Sequence, residues 1–390
     1  MLIGREITVL GGGIAGLAAA TALAQRGAQV RVLEQSPQIA ELGAGLQISP
    51  NGATVLHALG LGAGLSEAAS LAQAVSLRDF RRGAEVFRLP LTRPDRPYHF
   101  IHRADLIGML HQGALSAGVT IKLDHAVEKV TEGAGAMTLH FADGGAETTP
   151  CLIAADGLHS PTRAALNPRS QPFFTGQVAW RCILPLTGAT PPPAEAQVFM
   201  GPGRHLVRYP LRKGTVLNVV AVEERDAWAT EGWHHRDDPT YLRRAFRDFA
   251  PEIRQMLDRA TEVYLWGLFR HPLARHWHSD HAALIGDAAH PTLPFLAQGA
   301  NMALEDAWVL ADSLAQEADL PTGFARYEAR RRRRCARIVD AASKNAENYH
   351  LRPGPYRFAA HTALRMASRF APHLASNRFE WLYGHDVTRP

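Results

Sequence analysis

Short apolar runs open the chain, give way to a middle that alternates in twos, and return near residue 282. Glu6–Leu10 predicts a buried strand, residues 14–26 a helix closed by Gly27, and residues 30–33 a second strand. Such continuous runs suit a parallel sheet covered on both faces. Residues 51–59 and 106–117 predict helices, 120–123 an extended segment and 151–155 a third strong strand. Ser160-Pro161 is an N-cap followed by proline at the first helical position. Residues 177–186, 196–200, 205–209 and 215–222 are strand-like and separated by turns such as Gly201-Pro-Gly203 and Lys213-Gly214, which predicts an antiparallel sheet. Residues 282–285 predict a strand and 299–315 a helix with a stripe of alanine and leucine, and the last seventy residues read mostly as helix. The expected class is α/β: a Rossmann-like nucleotide-binding domain interleaved with an antiparallel-sheet domain, then a helical C-terminus.

Composition narrows the function. The 390 residues are 46% hydrophobic and 20% charged, which excludes disordered, fibrous and coiled-coil proteins. Three cysteines without a Cys-x-x-Cys pair exclude a disulfide scaffold and a dithiol centre, so a reducing cytoplasm is expected. No run approaches the about 18–20 apolar residues of a membrane span. The apolar start is not expected to be a secretory signal, because Glu6 offsets Arg5 and glycines 11–13 interrupt it. The net charge of +5 comes from five arginines at 330–334, which point around a helix and predict a solvated face with support such as Glu328–Arg332. Neither nucleic acid nor an anionic membrane is an expected partner. His99, His102 and His290 lack metal-ligand spacing, and no metal site is expected.

The chemistry begins at Gly11-Gly12-Gly13-Ile14-Ala15-Gly16, a G-x-G-x-x-G run between a strand and a helix. Its glycines permit a tight turn and close approach to a pyrophosphate, which the helix N-terminus favours. Glu34 ends the next strand, eighteen residues past Gly16, where a carboxylate accepts from a free ribose hydroxyl. The bland alternative is a glycine-rich helix start without a ligand. Farther on, Gly286-Asp287 follows a strand and precedes His290-Pro291, Gln298-Gly299 and a long helix. Asp287 suits a second chain of hydroxyls, and the helix start suits the negative edge of a reduced flavin.

With these motifs the chain resembles the single-component FAD-dependent aromatic hydroxylases. Matching residues are Gly11, Gly13 and Gly16 with Glu34, Ala155-Asp156-Gly157 with Ser160 and Arg163, and Gly286-Asp287 through Pro291 to Gln298-Gly-Ala-Asn301 and Glu305-Asp306. Gly43 to Asn51, His102-Arg103 and the ending Trp381 to Asp386 add to the match, the last in the manner of the hydroxybenzoate and hydroxynicotinate branch. The resemblance implies non-covalent FAD held by Gly11, Gly13, Ile14, Ala15, Gly16 and Glu34, with Gln47, Arg103 and Asp156 beside it. At the ring end it implies Asp287, Pro291, Gly299, Ala300 and Asn301. In the family, the middle motif, Ala155-Asp156-Gly157 with Ser160 and Arg163, serves both FAD and the reduced nicotinamide. NADH or NADPH is the implied reductant, visiting without a Rossmann domain of its own, and O2 the oxidant, activated as a C4a-hydroperoxyflavin. On this reading residues 1–75, 100–170 and 276–320 form the FAD-binding domain, 76–99 and 171–275 the substrate domain, and 321–390 a helical segment. A homodimer stays open.

On the strand at 205–209, alternate side chains share a face, so His205 and Tyr209 lie roughly 13 Å apart, enough to bracket one aromatic ring. In the hydroxybenzoate and hydroxynicotinate relatives such a pair lines the pocket, and the histidine, with an ordinary pKa of about 6.5, pulls on the phenol proton. The alternative is a half-buried structural histidine. Gln298 matches a substrate-side glutamine or else caps the following helix. No arginine announces itself for a substrate carboxylate. The expected activity is hydroxylation of a small phenolic acid, 3-hydroxybenzoate-like first, then a salicylate-type decarboxylating or hydroxypyridine reaction. A non-hydroxylating reductase or oxidase on the same fold, or a nucleotide-binding sensor, are the rivals; no halogenase Trp-x-Trp-x-Ile-Pro motif is present.

Overall fold

The computed structural model describes residues 2–39, 45–168, 171–186, 192–225, 235–370 and 378–389, with the side chains of 346 and 347 left aside. Gly43, part of one expected motif, lies outside them.

Five short strands make a parallel sheet in the order Ala282–Leu284, Leu152–Ala154, Glu6–Leu10, Gln29–Leu33, Thr120–Lys122. Valine, isoleucine and leucine fill their buried positions, and the helices Ile14–Ala24, Arg103–Ser116 and Gly299–Gln316 bury their apolar faces in the same core. The strands at 6–10, 152–154 and 282–284 therefore end side by side, although residues 155–281 separate the last two.

The middle of the chain builds an eight-stranded sheet with the order Arg236–Asp237, Val263–Arg270, Phe173–Pro185, Val216–Glu224, Arg204–Leu211, Glu195–Gly201, Ala74–Asp79, Glu85–Pro90. Its pairs are antiparallel except the one between Glu195–Gly201 and Ala74–Asp79. One face packs on the helices Pro239–Ala245 and Pro251–Asp258 through Trp180, Phe199, Phe246 and Ile253. The opposite face carries His205, Val207, Tyr209, Val220, Val222 and Arg181 toward the first sheet. The architecture is thus the mixed α/β arrangement with a helical C-terminus that the pattern predicts. Among the described residues, no helix is long and apolar enough to cross a membrane.

The arginine run departs from expectation. It lies in the helix Leu320–Tyr349, and Arg330 and Arg332 do pair outward with Asp312 and Glu328. Arg331, however, is 1% exposed and binds Glu305 and Asp306, while Arg334 binds both oxygens of Glu305 at 2.8 Å. Arginines that point around a helix necessarily include its inner face, and here that face meets two buried carboxylates of the neighbouring helix. The same packing gathers His290, Asp306 and Cys335, which sequence spacing does not connect. Arg331 supplies the cation there, with Nε 2.7 Å from Asp306 and a terminal nitrogen 3.4 Å from the Cys335 sulfur.

Candidate active site

A cavity of about 1200 Å³ runs from the first strand–helix turn to the pocket face of the eight-stranded sheet. At the turn, the three motif glycines have separate reasons. Gly11 sits at φ +104°, and a Cβ there would stand 2.4 Å from the Ala155 carbonyl oxygen. A Cβ on Gly16 would stand 1.9 Å from the Gly11 oxygen. Before Gly13 the space is open to 4 Å, on the side where the helix Ile14–Ala24 begins without a capping side chain. Close packing thus demands the first and third glycines, while the second leaves room for an anion at uncapped N–H groups. Glu34 accepts the Gly12 N–H at 2.6 Å with one oxygen and the Ser36 N–H at 2.8 Å with the other. Each oxygen keeps a lone pair for a ribose hydroxyl.

Asp156 accepts from the Thr162 hydroxyl at 3.0 Å through Oδ2, while its buried Oδ1 has no partner among the described residues. Asp287, on the turn Gly286–Ala288, borders the cavity; burial pushes its pKa up, opposed by His290, Arg103 and His271. Arg103 starts its helix beside Asp287 and also borders the cavity. An uncapped helix start, an acceptor placed for ribose and a buried carboxylate oxygen lacking a donor together fit a dinucleotide such as FAD.

Other expected residues stand behind these. Gly16 and Pro291 support the cavity without lining it, and Ile14, Ala15, Gly299 and Ala300 line it. Asn301 is fully buried and ties its helix to the strand Gly45–Ile48, accepting from Ser49 N–H at 3.0 Å and donating to the Gln47 and Ala297 carbonyls. Arg163 donates to the backbone carbonyls of Ala288, Ala289 and Pro272, so it braces the loop beyond Asp287. Ser160 caps its helix as expected, accepting from Arg163 N–H at 2.8 Å. Gln298 does not cap the helix after it. Its side-chain amide donates to the Ser49 hydroxyl at 2.9 Å and accepts from Asn51 at 3.2 Å, because Ala297, in the left-handed region at φ +52°, swings the chain into that loop.

At the sheet end His205, Tyr209 and Gln47 all line the cavity. His205 is 1% exposed between the rings of Phe295 and Tyr349, at 5.5 and 5.1 Å. Its Nδ1 lies 2.7 Å from His350 Nε2, and its own Nε2 makes no hydrogen bond among the described residues. Burial, reinforced by His350, pulls its pKa well below the ordinary value of about 6.5 that the sequence alone suggests. The Tyr209 ring packs 4.9 Å from Phe100, and its hydroxyl lies under Gly45 beside Gln47.

Sequence reasoning missed three groups. Arg181 is a cation on the pocket face of the sheet, its guanidinium 4.7 Å from the Trp266 ring and its pKa lowered by burial to about 10. His350 and Glu224 join His205 only through tertiary packing, since 145 residues separate the two histidines. Strand alternation was the one available signal for Arg181, which sits across from Val220 on the same face as Val207.

A profile of the family described as FAD binding domain matches residues 5–342. The 3-amino-4-hydroxybenzoate 2-monooxygenase of Streptomyces cremeus is 36% identical over 99% of this chain and 96% of its own. The 3-hydroxybenzoate 6-hydroxylase of Polaromonas naphthalenivorans is 33% identical over 98% and 96%. The crystal structure of Klebsiella pneumoniae HpxO complexed with FAD and uric acid superposes with a TM-score of 0.82 at 27% identity, covering 94% of each chain. The glycine cradle, the aspartates beyond the parallel strands and these whole-length likenesses agree: the chain belongs to the FAD binding domain family, among the FAD-dependent aromatic monooxygenases.

Proposed function

We propose that the enzyme hydroxylates the ring of a small hydroxybenzoate, with NADH or NADPH as reductant and O2 as oxidant. The observation that carries this reading is His205, closed from solvent and lining the sheet end of the cavity with Nδ1 engaged by His350. The named activities of the Streptomyces and Polaromonas relatives support it, because both rings combine a phenol with a carboxylate.

Bound FAD supplies the oxygen-transfer chemistry. Gly13 and the helix start receive its pyrophosphate, Glu34 a ribose, and Asp156, Arg103 and Asp287 the polar groups between. His205 Nε2 takes the phenol proton, and the resulting phenolate pushes electron density to the ring carbons ortho and para to it, such as C6 of 3-hydroxybenzoate. Arg181 receives the carboxylate in a charge-assisted hydrogen bond. Val207, Val220, Val222 and Phe295 give the ring an apolar bed and keep water away. Tyr209 and Gln298 border the ring, Gln298 through a loop its own hydrogen bonds stiffen. Use of NAD(P)H, with three unpaired cysteines, fits a reaction in a reducing cytoplasm.

The test is aerobic NADH and NADPH oxidation by the FAD-loaded protein with 3-amino-4-hydroxybenzoate and 3-hydroxybenzoate. Strong stimulation with a hydroxylated product formed in step is expected. Unstimulated oxidation, or oxidation that yields only hydrogen peroxide, contradicts the reading and favours a non-hydroxylating oxidase.

A further inference from the structure

His205 takes a proton that its surroundings do not let it keep. A buried imidazole beside a second histidine resists becoming a cation. Behind it, His205 Nδ1 lies 2.7 Å from His350 Nε2, and His350 Nδ1 lies 2.7 Å from Glu224 Oε1. The His350 side chain is 2% exposed, whereas that of Glu224 is 47% exposed. Glu224 lines a separate open hollow at the surface with Gly203 and Arg352. Three side chains, from the strand Arg204–Leu211, the residue after the helix Leu320–Tyr349 and the strand Val216–Glu224, therefore lead from the cavity lining to the solvent.

We infer that His205, His350 and Glu224 form a proton relay between the substrate cavity and the surface, with His350 and Glu224 as the positioning residues that let His205 act. The inference rests on the phenol reading above. In the outward direction the phenol O–H bond breaks and its oxygen keeps the electron pair. The proton goes to His205 Nε2. The His205 Nδ1 proton moves to His350 Nε2, the His350 Nδ1 proton to Glu224, and water takes it from there. Each imidazole exchanges one tautomer for the other and neither remains charged. After a carbon ortho or para to it has gained its oxygen, as at C6 of 3-hydroxybenzoate, the former phenol oxygen is a carbonyl. Rearomatisation expels the proton on that carbon, and the carbonyl oxygen takes one back through the same three groups in reverse, which restores both tautomers.

The setting keeps the line intact. Tyr349, against His205, has its hydroxyl engaged by Asn345 at 2.9 Å. Around Glu224, Glu223 is paired with Arg225 and Arg204 with Asp248, and Arg352 borders the same hollow. Gly203, at φ +63°, takes the Glu224 N–H on its carbonyl at 2.8 Å and gives its own N–H to the His350 carbonyl at 3.4 Å. A Cβ on Gly203 would crowd Glu224 Oε2 at 3.3 Å.

The experiment mixes FAD-loaded enzyme rapidly with 3-amino-4-hydroxybenzoate or 3-hydroxybenzoate in weakly buffered solution containing a pH indicator. Phenolate absorbance reports ionisation in the cavity, and the dye reports protons reaching bulk water. Wild type is expected to form phenolate and release protons together. His350→Gln, which fills the space but cannot shuttle a proton, is expected to slow both by about a hundredfold. Glu224→Gln, at the exposed end where folding is not at issue, is expected to slow release in the same direction. FAD retention and ligand affinity measured with the phenol already ionised at high pH are expected to stay as in wild type, which a merely structural role would not allow. If both variants release protons at the wild-type rate while His205→Asn does not, the relay is overturned and the phenol reading stands. If wild type ionises neither phenol, the phenol reading falls and the relay with it.

Discussion

The helix Gly299–Gln316 meets charged and polar groups on its buried flank and at its N-terminal mouth, and the two sets are handled differently. On the flank, Glu305 binds Arg331, Arg334 and Asn51, and Asp306 binds Arg331, His290 and the Gly286 N–H. Burial pushes both carboxyls up, but Arg331 and Arg334 more than offset it at Glu305, which is held at about 2, and His290 with Arg331 does so at Asp306. His290 would lose its proton through burial, yet Asp306 holds it well above the ordinary histidine range. At the mouth the helix has no capping side chain, and elsewhere along the cavity it opens on, Asp156 keeps an unpartnered oxygen and His205 Nε2 makes no hydrogen bond among the described residues. Paired charges hold the two helices together. Open valences around a preformed cavity are what a ligand completes.

Removing one partner from the saturated flank has the largest expected effect. Arg331→Met leaves Glu305 and Asp306 buried beside a lost cation, and denaturant unfolding is expected to register about 3–5 kcal/mol of destabilisation. The pH dependence sharpens the point. Glu305 has its pKa lowered from 4.5 to about 2 in the folded protein, so its stabilisation is full above pH 4.5 and fades as pH falls toward 2. That acid-side loss is expected in wild type and flattened in Arg331→Met; parallel curves would break the distinction between flank and cavity.

At the open end, His205→Asn is expected to lower the hydroxylation rate about 10²–10⁴-fold with FAD binding and thermal unfolding little changed. A large stability loss instead would return His205 to a structural role. Arg181→Gln is expected to raise the KM for a ring bearing a carboxylate, equivalent to about 1.5–3 kcal/mol, and to affect a phenol lacking the carboxylate far less. Equal effects on both rings would remove Arg181 from the substrate. Smallest is Glu34→Gln, expected to weaken FAD binding by about 1 kcal/mol, read by fluorescence titration of the apoprotein; unchanged affinity would detach Glu34 from the ribose.

The parts legible in the sequence were those written locally. The apolar runs at 6–10 and 29–33 and the intervening glycines carry both a strand–helix–strand unit and its ligand, because backbone approach and helix polarity need only a dozen neighbouring residues. His205 and Tyr209 were legible because one strand puts them on one face. The sheet of Val127–Gly133, Ala136–Phe141 and Ala146–Thr149 was not, since its two outer strands are polar and largely exposed, and the alternation of Met137, Leu139 and Phe141 is confined to one short strand between them. Val263–Arg270 was missed because an almost continuous apolar run fits helix and strand alike. Arg331 was hidden in a run whose composition says solvent. Its burial depends on Glu305 and Asp306 of another helix. His350 likewise gains its meaning only where the end of a long helix meets the sheet, and no local pattern anticipates that meeting.

The most direct test of the central claim, that this cavity delivers oxygen to a phenolic ring, is turnover under heavy-isotope-labelled dioxygen. The FAD-loaded protein, reduced nicotinamide and whichever of 3-amino-4-hydroxybenzoate or 3-hydroxybenzoate stimulates its oxidation are incubated together, and the product is weighed by mass spectrometry. The account predicts one labelled oxygen atom on the ring and none from labelled water. Consumption of reductant and labelled dioxygen with the ring recovered unlabelled would contradict it.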